Sequence, residues 1–285
     1  MTVALGFELA GQRGRFSAAL HAAPLLTLLL IAALQLVALL ARSEAWHVCV
    51  AAAGGTVSRR VLFRAAGLGY LGSVLNGSVG LATRLACLRT VAPNESPPVP
   101  ALLAAEVPMI AVEVGLAALF SFSLVGPLGI PWWLPIIAVA STAAAAAGLQ
   151  RVSNRHNLGL WAGLAVMRHG RHRMVAFVLL AVGSQIARNW LALHAVGVHI
   201  SVTDAIALLI AMFTLGQLPI GPSVGAAASV LILGAHGVAA TAAAGVLLTA
   251  TATVGALIYA GWSVADRAFS SARRPLEIIP EPTHA

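Results

Sequence analysis

Four charged residues lie inside or beside long apolar runs and have the types and spacing to do chemistry: Arg84, Glu106, Glu113 and Arg188. Glu106 and Glu113 are seven positions apart, so on a helix they share one face. An ionisable side chain in a membrane span is costly and normally faces the bundle interior or a water-filled cavity. Arg84 and Arg188 are the natural partners of the two carboxylates. One reading is a polar cleft in which an arginine fork holds a head-group phosphate while a carboxylate balances the charge or relays a proton. The other is a set of structural ion pairs locking helices together.

Three further residues join the candidate substrate-binding set. Asn76 sits amid Gly67, Gly69, Gly72, Gly77 and Gly80, where it either caps a half-helix or touches a head group. Ser223 and Gly225 fall in the break Gly216 to Gly225, which two prolines and three glycines prevent from continuing as one helix. A half-helix starting after Pro222 would turn backbone N–H groups toward an anion, with Ser223 as its cap. No Gly-x-Ser-x-Gly elbow surrounds Ser223, so it is not read as a nucleophile, and no catalytic residue is expected. His169 and His172 lack an accompanying carboxylate or cysteine, and Cys49 and Cys87 have no metal-type spacing. No metal or cofactor is expected, and both thiols are expected to be free.

The elements that position these residues belong to a membrane. The 285 residues are 59% hydrophobic and 9% charged, with mean hydropathy +0.91; soluble domains carry roughly 25% charged residues. No soluble catalytic domain is visible, which argues against an enzyme acting on a water-soluble substrate. All 17 basic residues are arginine, and the net charge of +8 favours anionic lipid head groups as partners. The arginines are scattered and have no aromatic platform, which disfavours nucleic acid.

The fold expected is an all-α polytopic membrane protein of about six spanning helices plus two re-entrant hairpins. The run 24–41 is the first span, retained rather than cleaved, and 42–60 is too polar and broken to cross. Residues 61–85 form a hairpin turning near Asn76-Gly77, or else one tightly packed span. Spans follow at 99–125, 134–149, 174–196 and 238–262, with 151–173 the largest connecting loop and 204–236 the second hairpin. The hydropathy fits an inverted repeat within a single integral membrane domain over 1–265. Its halves, 22–125 and 174–262, are linked by 132–149 and followed by a tail over 266–285. Arginine placement puts 151–173 and the C-terminus in the cytoplasm, in a multi-pass protein of the cell membrane.

Gly69-Tyr70-Leu71-Gly72-Ser73-Val74-Leu75-Asn76, then Gly80-Leu81-Ala82-Thr83-Arg84, resembles a signature of the flippase-like transmembrane domain of bacterial lysylphosphatidylglycerol synthases. Residues 217–237, with Leu218-Pro219-Ile220 and Ser223-Val224-Gly225, are similar to its second signature, and Glu106 falls where that family has an acidic residue opening a span. The likeness runs from about residue 22 to 262. Leu81, Val107, Ala227 and Ala228 stand where the family carries charged residues. The resemblance implies re-entrant helices and a flippase or transporter acting on an anionic or glycosylated phospholipid. The alternatives are a non-transporting accessory or scaffold protein, and the membrane subunit of a lipid-modifying transferase partner.

Overall fold

The computed structural model describes residues 24–74, 76–155, 159–168, 170–215, 224–233 and 238–272. Every regular element among them is helical. Five helices are long and apolar enough to cross a membrane: Leu25–Ala52, Val99–Leu128, Trp133–Arg155, Arg171–Ala195 and Thr241–Phe269. The chain is therefore an all-α protein of the multi-pass membrane type.

Helix α1 (Leu25–Ala52) starts after Pro24, whose fixed φ suits a helix entry. It does not stop at Ala41. The segment from Arg42 onward continues the helix, because Arg42, Ser43 and Glu44 each find a polar partner on another element. A polar stretch that looked unable to cross is thereby absorbed into a helix–helix interface.

Residues 59–91 form two short helices, α2 (Arg59–Ser73) and α3 (Gly77–Val91), packed antiparallel. Ser58 caps the first, accepting from the Val61 N–H at 3.4 Å. Asn76 caps the second, its Oδ1 accepting from the Ser78 N–H at 2.8 Å. One continuous span at 61–85 is thus replaced by a helical hairpin. The limbs approach so closely at Gly80 that a Cβ there would lie 2.6 Å from the Ser73 Cβ and 2.8 Å from the Gly69 carbonyl oxygen. The hairpin leans on the last helix in the same way: a Cβ at Gly67 would meet the Ser263 hydroxyl at 2.2 Å.

The next span is interrupted. Helix α4 (Val99–Ala104) gives way to α5 (Val107–Phe120) at Ala105-Glu106, because Pro108 has no N–H to offer the Ala104 carbonyl. A 3₁₀ turn, Ser121–Leu124, and α6 (Val125–Leu128) follow, ending at Gly129 in the left-handed region. Helix α7 (Trp133–Arg155) packs mainly on α5 and leaves most of its surface exposed. Gly159–Met167 then forms a 3₁₀ segment instead of an open loop; Leu164 and Val166 are buried against α1 and α4.

Helix α8 (Arg171–Ala195) runs along α1 in the most extensive packing among the described residues. Helix α9 (Val202–Leu215) opens with a reciprocal cap in which Ser201 N–H donates to Asp204 Oδ2 at 3.0 Å and Asp204 N–H to Ser201 Oγ at 3.2 Å. It packs on α10 (Val224–Leu233), and both lead into α11 (Val238–Ala272). The break proposed at Gly216, up to and including Ser223, lies outside the described residues.

Two cores result. One gathers Trp46, Leu62, Leu88 and Leu102 around the α2–α3 hairpin. The other gathers Ile31, Leu193, Leu208 and Leu248 around α9 and α10. Replacing Gly80 with valine should destabilise the first by overpacking, by about 1–3 kcal/mol. Gly77→Ala, at a position where a Cβ meets nothing within 4 Å, should leave thermal stability unchanged. Fluorescence-detected size-exclusion melting curves on the two variants check this.

Candidate functional site

A cavity of about 390 Å³ lies between the two cores. That is the scale of a small-molecule site. Its polar wall is Gln35 and Arg42 from α1, Glu113 from α5, and Gln185 and Arg188 from α8. Its apolar wall includes Leu116 and Phe120 from α5 and Leu209 and Phe213 from α9, all only half-buried or more open. Ser73, the last residue of α2, reaches it from the tip of the first hairpin. The cavity thus touches both helix pairs and lies near the middle of α1, α5 and α11.

Arg42 Nη2 donates to Glu113 Oε2 at 2.5 Å, joining α1 to α5 with the carboxylate side chain only 10% exposed. Arg188 is 4% exposed. Its Nη1 donates to Gln35 Oε1, and its Nη2 makes a long contact of 3.4 Å to Asn189 Oδ1. Its Nε finds no hydrogen-bond partner among the described residues. Gly255 makes room for this bridge, since a Cβ there would lie 2.6 Å from the Gln35 Cγ.

Arg84 and Glu106 form an ion pair with each other, outside the cavity wall, on the side of the first core. The Arg84 guanidinium also lies 4.3 Å above the Trp46 ring. Glu113 therefore pairs with Arg42 rather than with Arg84 or Arg188, while Glu106, at the start of the same helix, pairs with Arg84. Asn76 is engaged in capping α3 and is not part of the wall. Gly225 sits in the first turn of α10, and Ser223 is outside the described residues. Four of the seven predicted residues thus fall into two groups: Arg84 and Glu106 pair with each other behind the wall, and Glu113 and Arg188 both line the cavity.

Sequence reasoning missed Gln35 and Arg42. The signal was present: they are seven apart, on one face of a long apolar helix. Taking 42–60 as a loop hid it.

A third group of charges closes one end of the bundle. Glu44 meets Arg59 at 2.8 Å and Arg173 at 3.6 Å. Asp266 on α11 holds Arg60 and Arg64 of α2, with Arg60 Nε donating to Oδ2 at 2.8 Å. These hydrogen bonds hold the Arg60 guanidinium above its ordinary pKa. The end of α1, the start of α2, the start of α8 and the end of α11 therefore lie together.

Removing one member of a buried ion pair strands the other. Glu106→Gln should cost roughly 3–5 kcal/mol by leaving Arg84 uncompensated. The double variant Glu106→Gln with Arg84→Met should recover a substantial part of it. Melting temperatures of the two singles and the double, analysed as a double-mutant cycle, test the coupling. No family model, curated protein or solved structure matches this chain.

Proposed function

We propose that this protein is a lipid flippase or transporter-like protein of the membrane, acting on an anionic or glycosylated phospholipid, related to the flippase-like transmembrane domain of lysylphosphatidylglycerol synthases. The observation that carries the reading is the cavity with buried charged groups at mid-bundle, between two helix pairs. A scaffold that had lost transport would be expected to pack this region shut. Each limb of the first hairpin has 15 residues, about 22 Å of helix, against a hydrocarbon core of about 30 Å. A limb of that length enters the membrane and turns back, so α2–α3 is read as re-entrant.

The packing also fits an inverted repeat. In each half a long helix (α1, α8) precedes a helix pair (α2–α3, α9–α10) and a second long segment (99–128, α11). The two leading helices pack on each other. The first pair packs on the closing helix of the second half, and the second pair touches residues 121–128, which close the first half. Inverted repeats of this kind place a substrate site near the midplane, between discontinuous helices. The basic end, with Arg59, Arg60, Arg64, Arg171 and Arg173, is read as cytoplasmic by the positive-inside rule.

Two measurements test this reading. Purified protein in liposomes should accelerate transbilayer movement of fluorescent phosphatidylglycerol, followed by dithionite quenching. Ala117→Trp, which fills the cavity from α5 while leaving every charged residue in place, should slow it by about tenfold or more, roughly 1.4 kcal/mol in barrier. Transport equal to that of empty liposomes, or unaffected by the tryptophan, would refute translocation through this cavity. A reporter fused to the C-terminus should be active only as a cytoplasmic fusion; an active periplasmic alkaline phosphatase fusion reverses the orientation.

A further inference from the structure

The charges around the cavity do not balance, and the imbalance names a ligand. Arg42 is neutralised by Glu113 at 2.5 Å. Arg84, behind the wall, is neutralised by Glu106. Arg188 has no carboxylate partner among the described residues; it is 4% exposed, lines the cavity, and rests on the neutral amide oxygens of Gln35 and Asn189. Its Nε and the neighbouring Asn189 Nδ2 are buried without hydrogen-bond partners among the described residues. A buried cation left with neutral partners is costly, because a cation needs an opposing charge and full hydrogen bonding to offset desolvation. Arginine stays charged at any physiological pH and so does not escape the cost by losing a proton.

From this we infer that the cavity binds a phosphodiester of one net negative charge, anchored by Arg188, with the ligand oxygen displacing the Gln35 amide. The inference rests on the transporter reading above and deepens it by naming the substrate class. One unmatched positive charge pairs with one negative charge. A guanidinium is suited to two phosphate oxygens at once. A zwitterionic head group would leave the site with the same single charge it has when empty, and a dianion would reverse it. Arg84, the other arginine of the predicted set, is excluded as the anchor because Glu106 already compensates it. The apolar side made by Leu116, Phe120, Leu209 and Phe213 suits acyl chains more than a free anion in water, so the occupant favoured is a lipid head group.

The full chain in detergent, examined by native mass spectrometry, provides the test. Probes are short-chain phosphatidylglycerol, short-chain phosphatidylcholine, glycerol phosphate and inorganic phosphate. Phosphatidylglycerol should bind at least about tenfold more tightly than phosphatidylcholine, the scale of one charge-assisted contact. Arg188→Gln should erase that preference, and Arg188→Lys should keep part of it. A variant that melts earlier yet retains the full preference would identify Arg188 as a helix bridge and overturn the proposal. Equal binding of inorganic phosphate and phosphatidylglycerol would overturn the lipid as occupant. Scrambling by the wild type with no phosphatidylglycerol preference would remove this site while leaving translocation standing. A preference lost in Arg188→Gln, in a protein that moves no lipid, would do the reverse.

Discussion

Between Gln35 and Glu44, helix α1 carries four polar side chains, and each is answered by a different part of the molecule. Gln35 meets Arg188 of α8, Arg42 meets Glu113 of α5, Ser43 accepts from the Tyr259 hydroxyl of α11 at 3.0 Å, and Glu44 meets Arg59 at the start of the first hairpin. Polar groups in an apolar bundle are costly to leave without partners. Their placement on α1 therefore dictates which helices may lie beside it and in what register. The apolar packing is permissive by comparison, since alanine and leucine offer many equivalent contacts. The polar ladder makes one arrangement much better than its neighbours.

The glycines of the first hairpin supply a second constraint. With limbs in backbone contact at Gly80 and the hairpin seated on α11 at Gly67, the unit α2–α3–α11 is close-packed along its length. The clasp of Asp266 on Arg60 and Arg64 ties its basic end. Tyr70 and Tyr259, stacked at 5.8 Å between ring centres, tie its middle. The cavity lies where this unit stops and the second helix pair begins.

Much of this was legible in the sequence. The Gly-rich run with a central Asn predicted a turn at Asn76, because a capping side chain and missing Cβ atoms are local properties. Arg84 and Glu106 were likewise visible as costly residues that each needed an opposite charge. Which carboxylate meets which arginine was not legible, since it depends on where α1 and α3 pass along α5: Arg42 of α1 meets Glu113 and Arg84 of α3 meets Glu106. The continuation of α1 through Arg42 and Glu44 was hidden for the same reason: a polar stretch reads as an exit from the membrane until its partners are known. The 3₁₀ segment 159–167 was obscured by the arginines flanking it, although Leu160, Trp161, Leu164 and Val166 make an apolar run.

The lone compensation of Arg188 by amides also determines how a transmembrane voltage acts on this bundle. An elementary charge carried across the full potential corresponds to about 2.3 kcal/mol per 100 mV. The Arg42–Glu113 and Arg84–Glu106 pairs are dipoles with no net charge, so the field does little work on them as units. Arg188 is a monopole fixed to α8, which is packed along α1. Among the described residues, voltage therefore grips the middle of the bundle through that one side chain, and any displacement of α8 along the membrane normal is electrogenic.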